Sequence, residues 1–158
     1  MQGYFAIVTI ILLVTMVIFR IFILRYKGIE VFKFGEKDKK DFIIPPFALL
    51  YFYLILANTL DFPKLGSNIF ENEFISWVGI VLCIFGLLLF LSALISFGIS
   101  FRVGIDEDNP GPLVTSGAYA ISRNPIYTAF GLVLIGIFLI LPNYILLLYL
   151  IAGLWLLN

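Results

Sequence analysis

The sequence predicts an all-α integral membrane protein with about five transmembrane helices, of which the last two form a helical hairpin. Of the 158 residues, 62% are hydrophobic and only 13% are charged, whereas a soluble domain is about 45–50% apolar and about 25% charged. Long runs of residues without a charge recur along the chain. The net charge is zero, so no basic field favours nucleic acid as a partner. With one cysteine, Cys83, and no histidine, an internal disulfide, a multi-cysteine metal site and any histidine-dependent triad or zinc site are excluded.

Five apolar segments are long enough, or nearly long enough, to cross a bilayer core, which takes roughly 20 residues of helix. We predict one membrane domain with spans at about residues 3–24, 42–60, 74–101, 125–141 and 144–157. The Pro142-Asn143 pair allows only a tight turn, which makes a hairpin of the last two spans. The third segment has 28 uncharged residues, so that span is expected to tilt or to project from the membrane at one end.

The basic residues predict the orientation in the lipid bilayer. The link at residues 25–41 carries six Lys and Arg residues, whereas the link at 61–73 carries one. Because Lys and Arg accumulate on the cytoplasmic side, the first link and the loop at residues 102–124 are predicted to be cytoplasmic. Arg20 lies about one turn from the inner end of the first span, where it can snorkel to the interface.

Small residues recur along the third span every seven positions (Gly79, Gly86, Ala93, Ser100) and every four positions (Ser92, Ser96, Ser100). Such spacing lets helix backbones approach closely in lipid. Two interpretations follow: a homodimer through span three, or packing against other spans of the same chain. We favour packing within the chain, and we expect Cys83 to contribute only to packing.

The end of the 102–124 loop has the features of a small-anion site. Asn124 can cap a helix and Pro125 suits the first helical position, so the positive end of the fourth span lies at the inner interface with free N–H groups. Arg123 adds a charge that can pair with a carboxylate. Tyr119 and Tyr127 flank it with ring faces and hydroxyls. The alternative is that Arg and Tyr anchor the interface and Asn-Pro only begins a helix.

These residues belong to a longer pattern. Leu-Val-Thr-Ser-Gly-Ala-Tyr at 113–119, then Arg-Asn-Pro-Ile-Tyr at 123–127 and an apolar hairpin, resemble the isoprenylcysteine carboxyl methyltransferase family, which is similar to the membrane phospholipid methyltransferases. The family pattern is Leu-Val-x-x-Gly-x-Tyr followed by Arg-His-Pro-x-Tyr. Ser-Phe-Arg-Val-Gly-Ile-Asp at 100–106 resembles the Ser-Trp-Arg-x-Gly-Ile segment of bacterial relatives. The match covers about the last third of the chain.

The resemblance implies S-adenosylmethionine bound at the cytoplasmic face and methyl transfer to a lipophilic, membrane-presented or small-molecule acceptor. It implies the cytoplasmic membrane of a bacterium or archaeon. Arg123 is then the candidate catalytic residue, and no metal is expected. Carried over position by position, the cofactor contacts fall on Gly111, Pro112, Leu113, Val114, Tyr119, Asn124, Pro125, Ile126 and Tyr127. In-line methyl displacement mostly requires alignment of the partners and exclusion of water.

The chain departs from the family pattern at two places. The family's His is Asn124 here, which forms hydrogen bonds but does not titrate. Relatives continue past the hairpin with Arg-x-x-x-Glu-Glu and Phe-Gly-x-x-Tyr-x-x-Tyr segments, whereas this sequence ends at Asn158. Three expectations follow: a truncated fragment, a second copy that supplies those groups, or lost catalysis.

Two other functions remain open at this point. One is a non-catalytic membrane protein that keeps the fold without the activity. The other is a membrane reductase of the steroid-reductase type, which needs a nicotinamide phosphate site that Arg102 and Arg123 alone supply poorly.

Overall fold

A computed structural model of the chain describes residues 2–29, 44–60, 62–63, 65–98 and 114–156. The helices in this part of the chain are α1 (Gly3–Tyr26), α2 (Ile44–Thr59), α3 (Glu73–Phe97), α4 (Ala118–Ile121), α5 (Pro125–Ile140) and α6 (Tyr144–Leu156). Over the same residues the only extended pairing is an isolated antiparallel bridge between Asn68 and Asn143. The protein is therefore an all-α integral membrane protein, as the composition predicted.

Each of the five predicted spans contains one apolar helix. α1 and α3 are long and apolar enough to cross a bilayer by length and composition, whereas α2, α5 and α6 are shorter apolar helices. Residues 99–101 of the predicted third span lie outside the described residues, and α3 itself ends at Phe97. The reason is Gly98, whose φ of +55° is the left-handed conformation that commonly terminates helices. The four-residue helix α4 lies within the predicted loop and was not anticipated.

The antiparallel contact between α3 and α5 forms the centre of the molecule. A Cβ atom added to Gly79 would lie 2.6 Å from the carbonyl oxygen of Gly136, and one added to Gly86 would lie 2.8 Å from Cγ2 of Val133. Cys83 lies between them and is buried, with its Sγ 4.0 Å from the carbonyl oxygen of Val133. Because these glycines have no side chains, the backbones of α3 and α5 approach closely, and Cys83 fills the space beside them.

The small residues spaced by seven therefore pack within the chain, which is the interpretation we favoured. Ala93 continues the same face and is fully buried, while Ser100 lies outside the described residues. A homodimer through span three stays a prediction, and it would have to use a different face because α5 covers this one. The opposite face of α3 exposes large apolar side chains that suit contact with lipid: Phe74, Trp77, Val81, Phe85, Leu88 and Ile95.

The two ends of the helix bundle differ in chemistry. At the first end, which we call the basic end, α1 and α3 finish and α5 begins, and Arg20 of α1 donates a hydrogen bond to the carbonyl oxygen of Gly98. Arg25 and Lys27 follow on α1 at this end. At the opposite end α1 and α3 begin, and the turn between α5 and α6 lies close to the end of α2. The first two basic residues of the 25–41 link, Arg25 and Lys27, thus lie at the same end of the molecule as the candidate anion site.

At the opposite end, a buried asparagine joins three parts of the chain. Asn143 has no exposed surface, and its Nδ2 donates to Oδ1 of Asn58 at 3.3 Å and to the carbonyl oxygen of Leu65 at 3.1 Å. Its Oδ1 accepts from the N–H of Ile145 at 2.8 Å. Gly66, with φ of +80°, passes directly over this amide, because a Cβ there would lie 2.8 Å from Oδ1 of Asn143. We refer to these residues as the Asn143 cluster.

Candidate functional site

The start of α5 has the cap that the sequence predicted. Asn124 lies outside the helix, and its Oδ1 accepts a hydrogen bond from the N–H of Tyr127 at 3.2 Å. Pro125 occupies the first turn and is buried. The carbonyl oxygen of Asn124 accepts from both the N–H and the Oγ1 of Thr128, each at 3.1 Å. These contacts fix the direction in which the chain enters α5.

The same cap reduces the number of donors that face a ligand. The sequence predicted a helix end with free N–H groups, but the side chain of Asn124 already takes the N–H of Tyr127. Pro125 has no N–H to offer. Of the first turn of α5, the N–H of Ile126 therefore remains as a backbone donor. The positive end of the helix dipole is still there, but an anion would depend chiefly on Ile126 and on the side chain of Arg123.

The carried-over residues divide into an exposed group and a packing group. Arg123 and Asn124 are exposed, and Tyr127 has 46% of its surface exposed. Pro125 is buried and Ile126 packs against the buried apolar core, so their side chains support the site from behind. Val114 is partly buried at the start of the described segment. The remaining predicted contacts lie outside the described residues: Gly111, Pro112 and Leu113.

The short helix α4 is docked on the last turn of α3. The N–H of Ala118 donates to Oγ of Ser96 at 3.2 Å, and Oγ of Ser96 donates to the carbonyl oxygen of Ser92 at 2.8 Å. Gly117 precedes α4 with φ of +62°, and a Cβ there would collide with Oγ of Ser96. A glycine is needed at this position for both reasons, the left-handed backbone and the close approach.

Docking of α4 also determines where Tyr119 lies. The rings of Tyr119 and Phe97 stack with centroids 5.1 Å apart and planes 19° apart. Partial burial raises the pKa of the Tyr119 hydroxyl above its ordinary value, because desolvation disfavours the phenolate. Tyr119 is therefore a neutral hydrogen-bonding group at physiological pH, with one ring face covered by α3.

Two residues near the site make contacts that the sequence analysis did not predict. Ser96 belongs to the row of serines spaced by four, which was interpreted only as a helix-packing feature, although one member accepts the first hydrogen bond of α4. Arg20 was expected to snorkel into the headgroup region. In the structure its guanidinium donates instead to the carbonyl oxygen of Gly98.

Comparison with known families decides what this arrangement belongs to. A family model described as phospholipid methyltransferase matches residues 74–158, which is more than half of the chain. The chain belongs to the phospholipid methyltransferase family. The match begins in the first turn of α3 and includes α4, α5, α6 and every residue of the candidate site. Searches among curated proteins and among solved structures gave no match.

Membership confirms the resemblance drawn from the Gly-x-Tyr and Arg-Asn-Pro-x-Tyr motifs. This member of the phospholipid methyltransferase family is a membrane methyltransferase of the phospholipid and isoprenylcysteine methyltransferase type. The motifs coincide with structural roles: Gly117 permits the docking of α4, and Asn124 and Pro125 begin α5. α1 and α2 lie outside the matched region.

Proposed function

We propose that this protein transfers the methyl group of S-adenosylmethionine to a lipophilic or membrane-presented acceptor, at a site between α4 and the start of α5. The observation that carries the proposal is the corner formed by Tyr119, Arg123 and Asn124. It lies within the family-matched region, at the basic end, and presents an exposed arginine beside a helix N-terminus. A lipid acceptor can approach this corner from the surrounding bilayer.

The residues of this corner suit the cofactor chemically. The carboxylate of its methionine moiety can accept hydrogen bonds from the guanidinium of Arg123 and from the backbone N–H of Ile126. Its positively charged sulfur calls for ring faces and oxygen atoms, which Tyr119 and Tyr127 offer. When bound, S-adenosylmethionine supplies a methyl group already activated by that positive sulfur. The role of the protein side chains is to hold the ends of the cofactor, to align the acceptor and to exclude water.

We assign the site to the cytoplasmic face of a bacterial or archaeal cytoplasmic membrane. The assignment rests on the excess of Lys and Arg in the 25–41 link, since such residues mark the cytoplasmic side. The contact between Arg20 and Gly98 brings the C-terminal end of α1 beside the end of α3, and α4 docks on that same turn. The acceptor is consequently one that is present in, or reaches, the cytoplasmic leaflet.

The proposal is tested by calorimetric titration of the purified full chain in lipid nanodiscs with S-adenosylhomocysteine. We expect saturable binding, and we expect Arg123→Ala and Tyr127→Ala to weaken it at least tenfold. Tyr144→Ala is the matched control, because Tyr144 is also an exposed tyrosine, with 55% exposure, but lies at the opposite end of the bundle. Absence of binding at millimolar ligand would refute the proposal.

The acceptor class is tested separately by incubating the protein with methyl-labelled S-adenosylmethionine and vesicles that contain phosphatidylethanolamine. Label that partitions into the lipid fraction identifies a headgroup amine as acceptor. Label transferred only to an added water-soluble thiol refutes a membrane-presented acceptor and leaves the cofactor assignment intact.

A further inference from the structure

The last turn of α3 is held by a residue that lies far from it in the sequence. Arg20 is on α1, outside the matched region, and its guanidinium donates to the carbonyl oxygen of Gly98. Its Nε atom is buried, and among the described residues it has no hydrogen-bond partner. The Nε atom is thus shielded from solvent, while the Arg20 side chain as a whole is partly exposed.

A cation at this position is suited to the end of α3. The last carbonyl groups of a helix have no partner within the helix, and they carry the negative end of its dipole. Gly98 leaves the helix with φ of +55°, so its carbonyl oxygen cannot be satisfied by a continuing helix. Arg20 supplies a donor for this oxygen and a compensating positive charge. A charged residue within a membrane span is energetically costly. If α1 served only to span the membrane, an apolar residue in place of Arg20 would avoid that cost.

The turn that Arg20 holds is also the turn on which α4 docks. Ser96 accepts the hydrogen bond from the N–H of Ala118 at 3.2 Å, and Phe97 stacks on Tyr119 at 5.1 Å. Gly98, the acceptor for Arg20, is the next residue along the chain. Three consecutive residues at the end of α3, numbers 96–98, therefore connect α1 to α4, and through α4 to the corner that precedes α5.

We propose that Arg20 is a positioning residue of the candidate site: by fixing Gly98 it holds residues 96–98 in the geometry that docks α4 and sets Tyr119. Arg20 itself touches neither cofactor nor acceptor in this scheme. The effect on ligand binding rests on the proposed function, whereas the effect on the docking of α4 does not.

The test compares Arg20→Met, Arg20→Lys and Lys27→Met with the unchanged full chain in nanodiscs. Methionine keeps the length of the side chain and removes the charge and the donors. Lysine restores the charge and one point donor. Lys27→Met is the matched control, since it removes an exposed cation at the same end of α1. Two quantities are measured: amide hydrogen exchange at Ala118 and Tyr119 without ligand, and the Kd for S-adenosylhomocysteine.

We expect Arg20→Met to speed exchange at Ala118 and Tyr119 about tenfold and to raise the Kd about tenfold, with exchange in α6 unchanged. Arg20→Lys should recover most of both effects, and Lys27→Met should show neither. Unchanged exchange at Ala118 in Arg20→Met would overturn the proposal, as would an equal acceleration in α6, which indicates a general loss of stability.

The two proposals fail in distinguishable ways. If the unchanged protein does not bind S-adenosylhomocysteine, the proposed function fails, while hydrogen exchange still decides whether Arg20 positions α4. If Arg20→Met does not fold, Arg20→Gln takes its place, because glutamine keeps a polar side chain without the charge. Wild-type exchange in the glutamine variant would overturn the role of the charge, and faster exchange confined to α4 would support it.

Discussion

Replacing Asn143 by leucine is expected to destabilise the protein strongly from the end opposite the candidate site. Leucine has a similar size but neither donor nor acceptor, so the change removes the polar contacts of a fully buried side chain. Three hydrogen bonds are lost: those to Asn58, to the Leu65 carbonyl and from the Ile145 N–H. At about 1 kcal/mol each, the expected loss in the free energy of unfolding is about 3 kcal/mol.

The loss of stability should be specific to Asn143, the buried one of the two asparagines that form the isolated bridge. Asn68 faces Asn143 across that bridge, but its side chain is exposed and donates to Glu71 at 3.3 Å. Asn68→Ala keeps the backbone contacts and should therefore cost less than about 0.5 kcal/mol, the usual range for surface substitutions. Equilibrium unfolding in mixed lipid and detergent micelles measures both variants. A loss for Asn143→Leu no larger than that for Asn68→Ala would refute the reasoning.

Three further predictions concern the helix contact and the candidate site. Gly79→Ala should lower the free energy of unfolding by about 1–3 kcal/mol through overpacking, because its Cβ would lie 2.6 Å from the backbone oxygen of Gly136. Gly131→Ala is the control in the same unfolding assay. Its Cβ would lie 3.5 Å from the nearest atom, so this change should be neutral or slightly stabilising. Asn124→Asp keeps the capping acceptor and should preserve stability, yet weaken S-adenosylhomocysteine binding about tenfold in calorimetry by repelling the ligand carboxylate. In the wild type, hydrogen exchange should detect a loss of α4 docking as the pH rises above about 10, the ordinary pKa of tyrosine. The Tyr119→Phe variant should not show this alkaline loss.

The sign of the pH effect follows from the direction of the pKa shift. Burial raises the pKa of Tyr119, so the folded protein holds the phenolic proton more tightly than the unfolded chain does. Its contribution to stability is complete below the unfolded pKa and is lost as the pH rises through the folded pKa. Docking of α4 that is unchanged by alkaline pH in the wild type would contradict this prediction, as would an identical alkaline loss in Tyr119→Phe.

The outcomes that would contradict the other two predictions are equally direct. Equal unfolding free energies for Gly79→Ala and Gly131→Ala would mean that the close approach of α3 and α5 is not essential. Unchanged affinity in Asn124→Asp would mean that no anionic group binds near the start of α5.

Much of the fold could be predicted because apolar segments that are surrounded by lipid adopt helices. In lipid every backbone polar group needs an internal partner, so each uncharged segment of sufficient length yields a helix. The start of α5 was predictable for a local reason, since Asn124 and Pro125 act within one turn. The small residues of α3 showed a close helix contact, but only the structure identifies α5 as the partner.

The parts that could not be predicted depend on contacts between distant residues. Arg20 and Gly98 are 78 residues apart, with all of α2 and α3 between them, and no local pattern connects them. The same holds for Asn143 and Asn58, whose hydrogen bond joins α2 to the turn before α6. α4 has only four residues, too few to show a periodicity, and it exists because Ser96 and Phe97 offer it a docking surface.

The unequal lengths of α3 and α5 have a consequence for the surrounding lipid. α3 has 25 residues and α5 has 16, which at about 1.5 Å per residue gives roughly 38 Å and roughly 24 Å. A hydrocarbon layer of about 30 Å cannot match both. Lipids beside α5 must shorten their span, and lipids beside α3 must extend it or let the helix tilt. We therefore expect a gradient of bilayer thickness around the protein, with the thinner bilayer beside α5.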